Sequence, residues 1–263
     1  KMQDTIKSLR ELVNGKTSTA QGITRSPELT VMATLQTAQQ AIDEIVRICK
    51  EKNCKTLVKS KSMATEEIHL NKAMQQHGIE SVETDLGEYI QQLDDEPPYH
   101  IVTPAMHKSK EDVAKLFAEK LGTDPKLSPQ ELTLVARNIL RKKYVEAEVG
   151  VTGANFIISD IGGIALTENE GNARLSCAFP KTHIAVVGIE KMIPSMTDLA
   201  LFWPLLSTFG TGQKLTVYSR IISGPRQPNE TDGPEEMYVI LLDNGRTNIL
   251  KDLEQRESLY CIR

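Results

Sequence analysis

The sequence predicts an α/β fold in which a parallel-rich sheet is flanked by helices. Segments rich in strand-forming residues alternate with segments of helical periodicity through the first half of the chain. Such a βαβα order predicts a mostly parallel sheet with helices on both faces. The second half is richer in strands. The 263 residues fit one large α/β domain or two small ones, and the 40% hydrophobic share is ordinary for a globular protein.

The first half alternates regularly between strands and helices. Apolar residues at Leu35, Ala38, Ile42 and Ile45 recur at helical spacing. A cap followed by proline at the first position, Ser128-Pro129, marks another helix start. Strands are predicted at 29–34, 56–58, 79–82 and 100–103, and helices at 38–52, 64–76, 86–93, 110–121 and 128–147. Residues 1–28 are predicted to form a peripheral, partly helical arm with little to bury.

Strands dominate the second half. They are predicted at 155–159, 163–167, 184–188, 215–222 and 237–242. One helix is predicted at 197–208, and it carries Trp203. The polar stretch 225–235, rich in Pro and Gly, is predicted to be a loop.

Composition and missing motifs exclude several classes of protein. A net charge of −4 argues against a nucleic-acid partner, which normally meets a basic stripe. The longest apolar runs are too short to span a bilayer. Dinucleotide, P-loop, nucleophile-elbow and zinc-peptidase motifs are absent from the sequence. The cysteines are interpreted as reduced thiols of a cytoplasmic protein.

The segment Lys59-Ser60-Lys61-Ser62 lies between a predicted strand and a predicted helix. Ligands of open parallel sheets bind beyond the carboxyl ends of the strands, and a helix start offers unpaired N–H groups. Two lysines and two hydroxyls there favour a site for a small carboxylate or phosphate. A solvated turn with an N-cap serine explains the segment equally well.

An acidic segment follows the next predicted strand. Glu83, Asp85 and Glu88 could form ion pairs with the lysines across a cleft, hold a cation or act as an acid–base pair. Simple helix capping by Thr84 or Asp85 explains part of the pattern. It does not explain Glu83.

His107 follows the strand predicted at 100–103. Three consecutive strands therefore each end in polar or ionisable groups. Because parallel strands bring those ends together, the coincidence predicts a cleft along one edge of the sheet. A single histidine would be weak evidence for catalysis on its own.

Loops rich in Gly, Asn and acids continue this pattern in the second half. Such loops suit close approach of the backbone to a ligand, and they equally suit tight hairpins. A functional role is slightly favoured for Glu168 and Glu170. The further candidates for ligand binding are Thr152, Gly153, Asn155, Asn169, Asn172, Gly212 and Arg226.

Several of these segments, taken together and in order, resemble the LUD domain family. They are 58–63, 83–90, 152–156, 168–174 and 212–216, joined by 234–236 and 243–246. The resemblance covers roughly residues 29–263, and its best match is with lactate-utilisation iron–sulfur proteins. It divides the chain into the arm at 1–28, a LUD domain at 29–255 and the start of an iron–sulfur domain at 256–263.

The resemblance implies a fold similar to the NagB/RpiA/CoA-transferase group. It also implies a component of a complex that oxidises L-lactate to pyruvate, with other lactate-utilisation proteins as partners. The full-length protein would carry two 4Fe-4S clusters, with Cys261 as the first ligand. A cluster takes about four thiolates, so this chain alone is expected to hold no cluster.

Three hypotheses stay open at this point. The first is an oxidoreductase component whose LUD domain binds a small carboxylate, or a partner protein near the clusters. The second is a transferase or isomerase acting on an activated acid or sugar phosphate, with Glu168 or Glu170 as nucleophile or base. The third is a non-catalytic scaffold that docks the other lactate-utilisation proteins. The candidate catalytic residues are Glu83, Asp85, His107, Glu168 and Glu170.

Overall fold

The computed structural model describes residues 29–31, 34–99 and 102–261, and within them the chain forms ten strands and nine α-helices. The strands are β1 (Leu29–Val31), β2 (Thr56–Lys59), β3 (Glu80–Glu83), β4 (Val149–Thr152), β5 (Phe156–Ile158), β6 (Gly163–Glu168), β7 (Thr182–Gly188), β8 (Met192–Ile193), β9 (Tyr218–Ile222) and β10 (Glu236–Leu242). The helices are α1 (Ala38–Glu51), α2 (Met63–Glu67), α3 (Leu70–Gln76), α4 (Leu86–Leu93), α5 (Lys110–Leu121), α6 (Pro129–Glu146), α7 (Asn172–Ala178), α8 (Leu199–Thr211) and α9 (Arg246–Lys251).

Six strands form one parallel sheet in the order β1-β10-β7-β4-β2-β3. Every neighbouring pair in it is parallel, which confirms the predicted α/β architecture. The central strand β7 is buried along its whole length, as expected for a parallel strand covered on both faces. The carboxyl ends of all six strands therefore lie along one edge.

Alternate residues of the strands pack into different cores. Leu57, Val149 and Ile184 share one cluster with α1, α2 and α3. On the opposite face, Val58 packs with residues of α4, α5 and α6. Beside that group, Val187 packs against the small sheet. The parallel sheet is thus the middle layer of three.

The small sheet has the order β8-β5-β6-β9. Strands β5 and β6 form an antiparallel hairpin, and Gly162 in its turn has φ 62°, a conformation that glycine adopts without strain. Helix α8 covers the other side of this sheet, where Phe202 packs against Phe156 with ring centroids 5.2 Å apart.

Several boundaries differ from the sequence-based expectations. The helix predicted at 64–76 is two helices, because His69 takes a left-handed conformation with φ 54°. The strand predicted at 215–222 begins only at Tyr218. Residues 102–103 of the strand predicted at 100–103 form a bend. Residues 100–101 lie outside the described residues, as does the predicted arm at 1–28.

Four elements were not predicted: β4, β8, α7 and α9. Strand β4 lies between β2 and β7 in the middle of the sheet. It is short and contains Gly150, where an added Cβ would stand 1.8 Å from the backbone oxygen of Ser176. Glycine is thus required for close packing of β4 against α7, although in sequence it weakens the strand pattern. In the described part of the chain, no helix has both the length and the apolar character needed to cross a membrane.

Candidate functional site

A cleft of about 810 Å³ opens at the carboxyl-end edge of the parallel sheet. It is lined by residues that follow β2, β3, β4, β7 and β10, together with the loop after β6 and part of α8. The sequence-predicted residues that line it are Ser60, Lys61, Ser62, Asp85, Gly153, Asn155, Glu168, Asn169, Glu170, Asn172 and Cys261. The rule that ligands of open α/β sheets bind at this edge makes the cleft the leading candidate site.

Lys61 is the cleft lysine contributed by the segment after β2. Its ammonium donates to Asp85 Oδ2 at 2.8 Å and to the carbonyl of Val102 at 3.2 Å, and its side chain remains 28% exposed. Ser62 beside it is the N-cap of α2 and accepts from the backbone N–H of Thr65. Helix α2 has only five residues, so the positive charge in this part of the cleft comes mainly from Lys61 itself.

Lys59 does not line the cleft, which corrects the expectation that both lysines face an anion there. Its side chain is fully buried, and its ammonium contacts Glu66 Oε1 and Glu83 Oε1, both at 2.8 Å. Burial lowers the pKa of Lys59, but the charges of Glu83, Glu88 and Glu66 outweigh burial and raise it above its usual value. Lys59 is therefore a charged, internally neutralised residue with no surface for a ligand.

Glu83 is likewise placed in this buried cluster and away from the cleft. Besides Lys59, its Oε1 accepts from Asn71 Nδ2 at 2.5 Å. Glu88, one helical turn into α4, lies close by, and burial, followed by the negative charge of Glu83, raises the pKa of Glu88 to about 9. Glu88 is thus protonated at neutral pH, while Glu83 is the counter-ion of Lys59.

Asp85 both caps helix α4 and lines the cleft. Its Oδ1 accepts from the backbone N–H groups of Gly87 and Glu88, so it is the N-cap of α4. Its Oδ2 binds Lys61. The Lys61–Asp85 pair is therefore held in place from the α4 side, with the lysine facing the cleft.

Glu168 and Glu170 line the same cleft but differ in how their carboxylates are used. Glu168 accepts from the backbone N–H groups of Ala173 and Arg174 at 2.7 and 2.8 Å, and from Arg220 at 3.2 Å. Both of its oxygens are therefore occupied in capping α7 and pairing with Arg220. This is an ordinary structural role for a carboxylate at a helix start.

Glu170 is exposed at the rim. Partial desolvation raises the pKa of its carboxyl group, the negative charge of Asp85 raises it further, and the charge of Lys61 opposes both effects. Glu170 is therefore the cleft carboxyl whose proton affinity responds to Lys61 and Asp85.

The asparagines shape the cleft wall. Asn155 Oδ1 accepts from the backbone N–H and the hydroxyl of Thr167, at 2.8 and 3.1 Å. Asn169 donates to Gln213 and accepts from the backbone N–H of Val217. These bonds fix the loops that carry the acidic residues.

Two predicted ligand-binding residues lie near the site but do not line it. Thr152 is fully buried, and its hydroxyl contacts His183 Nε2 at 2.8 Å. Burial lowers the pKa of His183 to about 3, so this pair is neutral and internal. Gly212 ends α8 with φ 71° as a left-handed cap, the conformation that helix ends commonly require of glycine.

Arg226 and His107 also lie away from the cleft. Arg226 pairs with Glu235 at 3.3 Å and closes the loop before β10 through its backbone bond to Pro234. His107 contacts Glu96 at 3.1 Å and packs against the ring of Tyr99. Both side chains are therefore engaged in local contacts, and neither lines the cleft.

An arginine clamp on the opposite cleft wall was missed as a site. Arg246 donates through Nη1 and Nη2 to both oxygens of Glu67, at 3.1 and 2.9 Å, and its Nε lies 2.5 Å from Glu190. All three residues line the cleft. Arg246 follows β10 closely, so the rule applied to the earlier strands would have identified it.

Cys261 lies at the mouth of the cleft. It is exposed, and its carbonyl accepts from the ammonium of Lys191 at 2.5 Å. Cys49, Cys54 and Cys177 are buried. Among the described residues, Cys261 is thus the cysteine whose side chain is accessible at the cleft.

Comparisons with known proteins agree with the resemblance seen in the sequence. Lactate utilization protein B of Bacillus licheniformis is 49% identical over 229 residues, and that of Bacillus subtilis is 48% identical over 229 residues. Each match covers 87% of this chain and 48% of the relative, so the chain spans about half the length of the curated relatives it matches.

The chain was also compared with solved structures and with family models. A solved structure of a DUF162 family protein from Deinococcus radiodurans is 14% identical, with a TM-score of 0.43 over 92% of this chain and 98% of that one. The family model described as LUD domain matches residues 30–242. The chain therefore belongs to the LUD domain family.

Proposed function

We propose that this chain is the LUD part of an iron–sulfur electron-transfer component in a system that oxidises L-lactate to pyruvate. We propose further that its cleft binds a small carboxylate or phosphate. The names of the relatives, lactate utilization protein B, support the role in lactate utilisation. The other lactate-utilisation proteins are then its partners, and the reduced thiols suit the cytoplasm.

One observation carries the proposal: Lys61, Glu170 and Cys261 line one cleft. The ammonium of Lys61 can bind a carboxylate in place of Asp85. Glu170, whose carboxyl pKa is raised by partial desolvation, lies in the same cleft. A hydroxy acid bound there would lie in the same cleft as the thiol of Cys261.

The clusters of the full-length protein would supply the one-electron chemistry. In this chain, Cys261 would contribute one thiolate, and Lys191 would hold the backbone of that residue against the cleft. Lys61 and Glu170 would bind and orient the acid and hold the proton.

A transferase or isomerase is the second candidate function. The raised pKa of the Glu170 carboxyl group favours it over a scaffold. A carboxyl of raised pKa at a strand-end cleft is suited to acid–base work. Glu168 is less suited, because both of its oxygens already accept hydrogen bonds.

The scaffold hypothesis draws on helix α8. Its side chains Leu201, Leu205 and Phe209 are apolar and exposed. Such a face is suited to packing against another protein.

Calorimetric titration distinguishes these functions. We expect L-lactate, pyruvate or inorganic phosphate to bind the purified chain, and Lys61→Ala to abolish that binding. Lys142→Ala, which removes an exposed lysine outside the cleft, is the matched control and should bind normally. Binding that is unchanged in Lys61→Ala would place the anion elsewhere, and binding of acyl-CoA or a sugar phosphate alone would favour the transferase.

A further inference from the structure

A second pocket, of about 640 Å³, lies beside edge strand β3. It is formed by α3, β3, α4 and the segment that follows α4. Within the described residues it shares no lining residue with the cleft. Glu83 lines this pocket and its partner Lys59 lines neither cavity, so the pocket is a separate site from the proposed lactate site.

The wall of this pocket contains buried polar groups that have no partner. Gln91 is only 1% exposed, and within the part of the chain that the structure describes neither its Nε2 nor its Oε1 is hydrogen-bonded. Glu83 and Glu88 line the same wall, and a hydrogen bond between their side chains helps to raise the pKa of Glu88. Glu88 and Gln91 are three residues apart on α4, so they lie on one helix face and line the pocket together.

Unpartnered groups of this kind need an explanation. A buried amide or carboxyl without a hydrogen bond is energetically costly, and most buried polar groups in proteins are hydrogen-bonded. Gln91 alone leaves one donor group and one acceptor unused. A guest that supplies N–H donors would satisfy the oxygen of Gln91.

The lining of the pocket is mainly acidic. Six acids line it, with one lysine, Lys72, and one histidine, His69; four of these acids are paired with lysines outside the lining, Glu66 and Glu83 with Lys59, Glu80 with Lys143 and Glu96 with Lys108. The acids are Glu66, Glu80, Glu83, Glu88, Asp95 and Glu96. Among the described residues, no three His, Cys, Asp or Glu side chains are grouped so as to hold a metal ion. The arrangement therefore favours an organic cation over a bare metal ion.

We propose that this pocket binds a small organic cation with N–H donors, a primary ammonium or a guanidinium group. Its donors would bond Gln91 Oε1 and, once Glu88 gives up the proton of its hydrogen bond to Glu83, the carboxylates of Glu83 and Glu88. Both cation types match carboxylate acceptors, and guanidinium can bind two oxygens at once. The pocket is thus a second ligand site that works independently of the anion cleft.

Binding at this site is linked to proton release. Burial, then the charge of Glu83, raises the pKa of Glu88 to about 9, with Asp85 adding to the rise and Lys59 opposing it. Glu66 faces the same cluster through its bond to Lys59. A bound cation favours the ionised carboxylate, so Glu88 gives up its proton, and affinity rises with pH between about pH 7 and pH 9.

Calorimetry on the whole chain tests this with n-butylammonium and methylguanidinium as probes. Tetramethylammonium, which has the same charge and no N–H donor, is the probe control. We expect one or both N–H donors to bind and tetramethylammonium not to bind. Titration in two buffers of different ionisation enthalpy should show release of up to about one proton per cation at about pH 7.

Glu88→Gln is the decisive variant, because Gln resembles the protonated carboxyl and should leave the fold intact. It should weaken binding about tenfold or more and abolish proton release. Glu119→Gln makes the same substitution at an exposed side chain of α5, outside the pocket, and should change affinity by less than about twofold. The proposal is overturned by absence of binding, by equal binding of tetramethylammonium, or by equal losses in the two variants.

Discussion

Two lysines only two residues apart belong to two very different regions of this molecule. Lys59 ends β2 in a sealed cluster with Glu66 and Glu83, whereas Lys61 stands in an open cleft with Asp85. Both are salt-bridged at 2.8 Å, so distance does not separate them. The two lysines differ in burial. The buried ammonium of Lys59 depends on its carboxylate partners for stability, whereas the partly exposed ammonium of Lys61 can exchange its partner for a ligand.

The largest expected effect comes from breaking the sealed pair. Lys59→Met leaves Glu83 buried beside Glu88 without its cation and should destabilise the fold by about 3–5 kcal/mol. Lys61→Met, at the part-exposed pair, should cost only about 1 kcal/mol or less. Urea unfolding of the two variants measures the difference. Equal losses would mean that the two regions are not distinct in energy.

A smaller effect concerns the protonated carboxyl of the sealed cluster. The pKa of Glu88 is raised to about 9 in the folded chain, so the folded state binds a proton that the unfolded state releases near about pH 4.3. This stabilisation is complete below the unfolded pKa and is lost as pH rises towards about 9.

The pH effect is measured by comparing the wild-type chain with Glu88→Gln. The stability of the wild type relative to the variant should fall between about pH 6 and about pH 8, with a slope of at most about 1.4 kcal/mol per pH unit. Chemical denaturation at each pH gives the slope. Parallel pH profiles for the two proteins would show that Glu88 is already ionised.

Next in size is the contrast between the two glutamates of the cleft. Glu168→Gln weakens the cap of α7 and the bond to Arg220, so it should cost about 1–2 kcal/mol. Glu170→Gln at the exposed rim should change stability by less than about 0.5 kcal/mol. Thermal or urea unfolding of both variants is the measurement, and a reversed order would reassign the supporting role to Glu170.

The parallel sheet was predictable because its signals are local. Strand formers, helical spacing and caps such as Ser128 are each read within a few residues, and the chirality and order of βαβ units then fix a parallel sheet. Strand β4 escaped prediction because Gly150 is needed only where another element packs closely against it. Such a tertiary requirement leaves no local periodicity.

The position of the candidate cleft could be predicted from the sequence, but the residues that line it could not. Polar residues after consecutive strands indicated the edge of the sheet at which the cleft opens, since parallel strands align their carboxyl ends. Which of those residues face the opening depends on side-chain direction and burial. Lys59 and Lys61 have the same chemistry and sequence context, yet only the folded packing shows that Lys59 is sealed. Likewise, only the folded packing shows that Asp85 lines the cleft and that Glu83 does not.

The smallest expected effect concerns the pKa of Glu170 and its dependence on the charge of Lys61. The charge of Lys61 lowers the pKa of Glu170, whereas desolvation and Asp85 raise it. Lys61→Ala should therefore raise the pKa of Glu170 further, and only slightly because the rim is exposed to solvent. Carbon-13 NMR titration of the glutamate carboxyl signals follows this shift, with Lys142→Ala as the control that leaves it unchanged. A Glu170 signal that titrates identically in Lys61→Ala would show that the two side chains do not interact, and the cleft would then lack the paired cation and acid on which carboxylate binding depends.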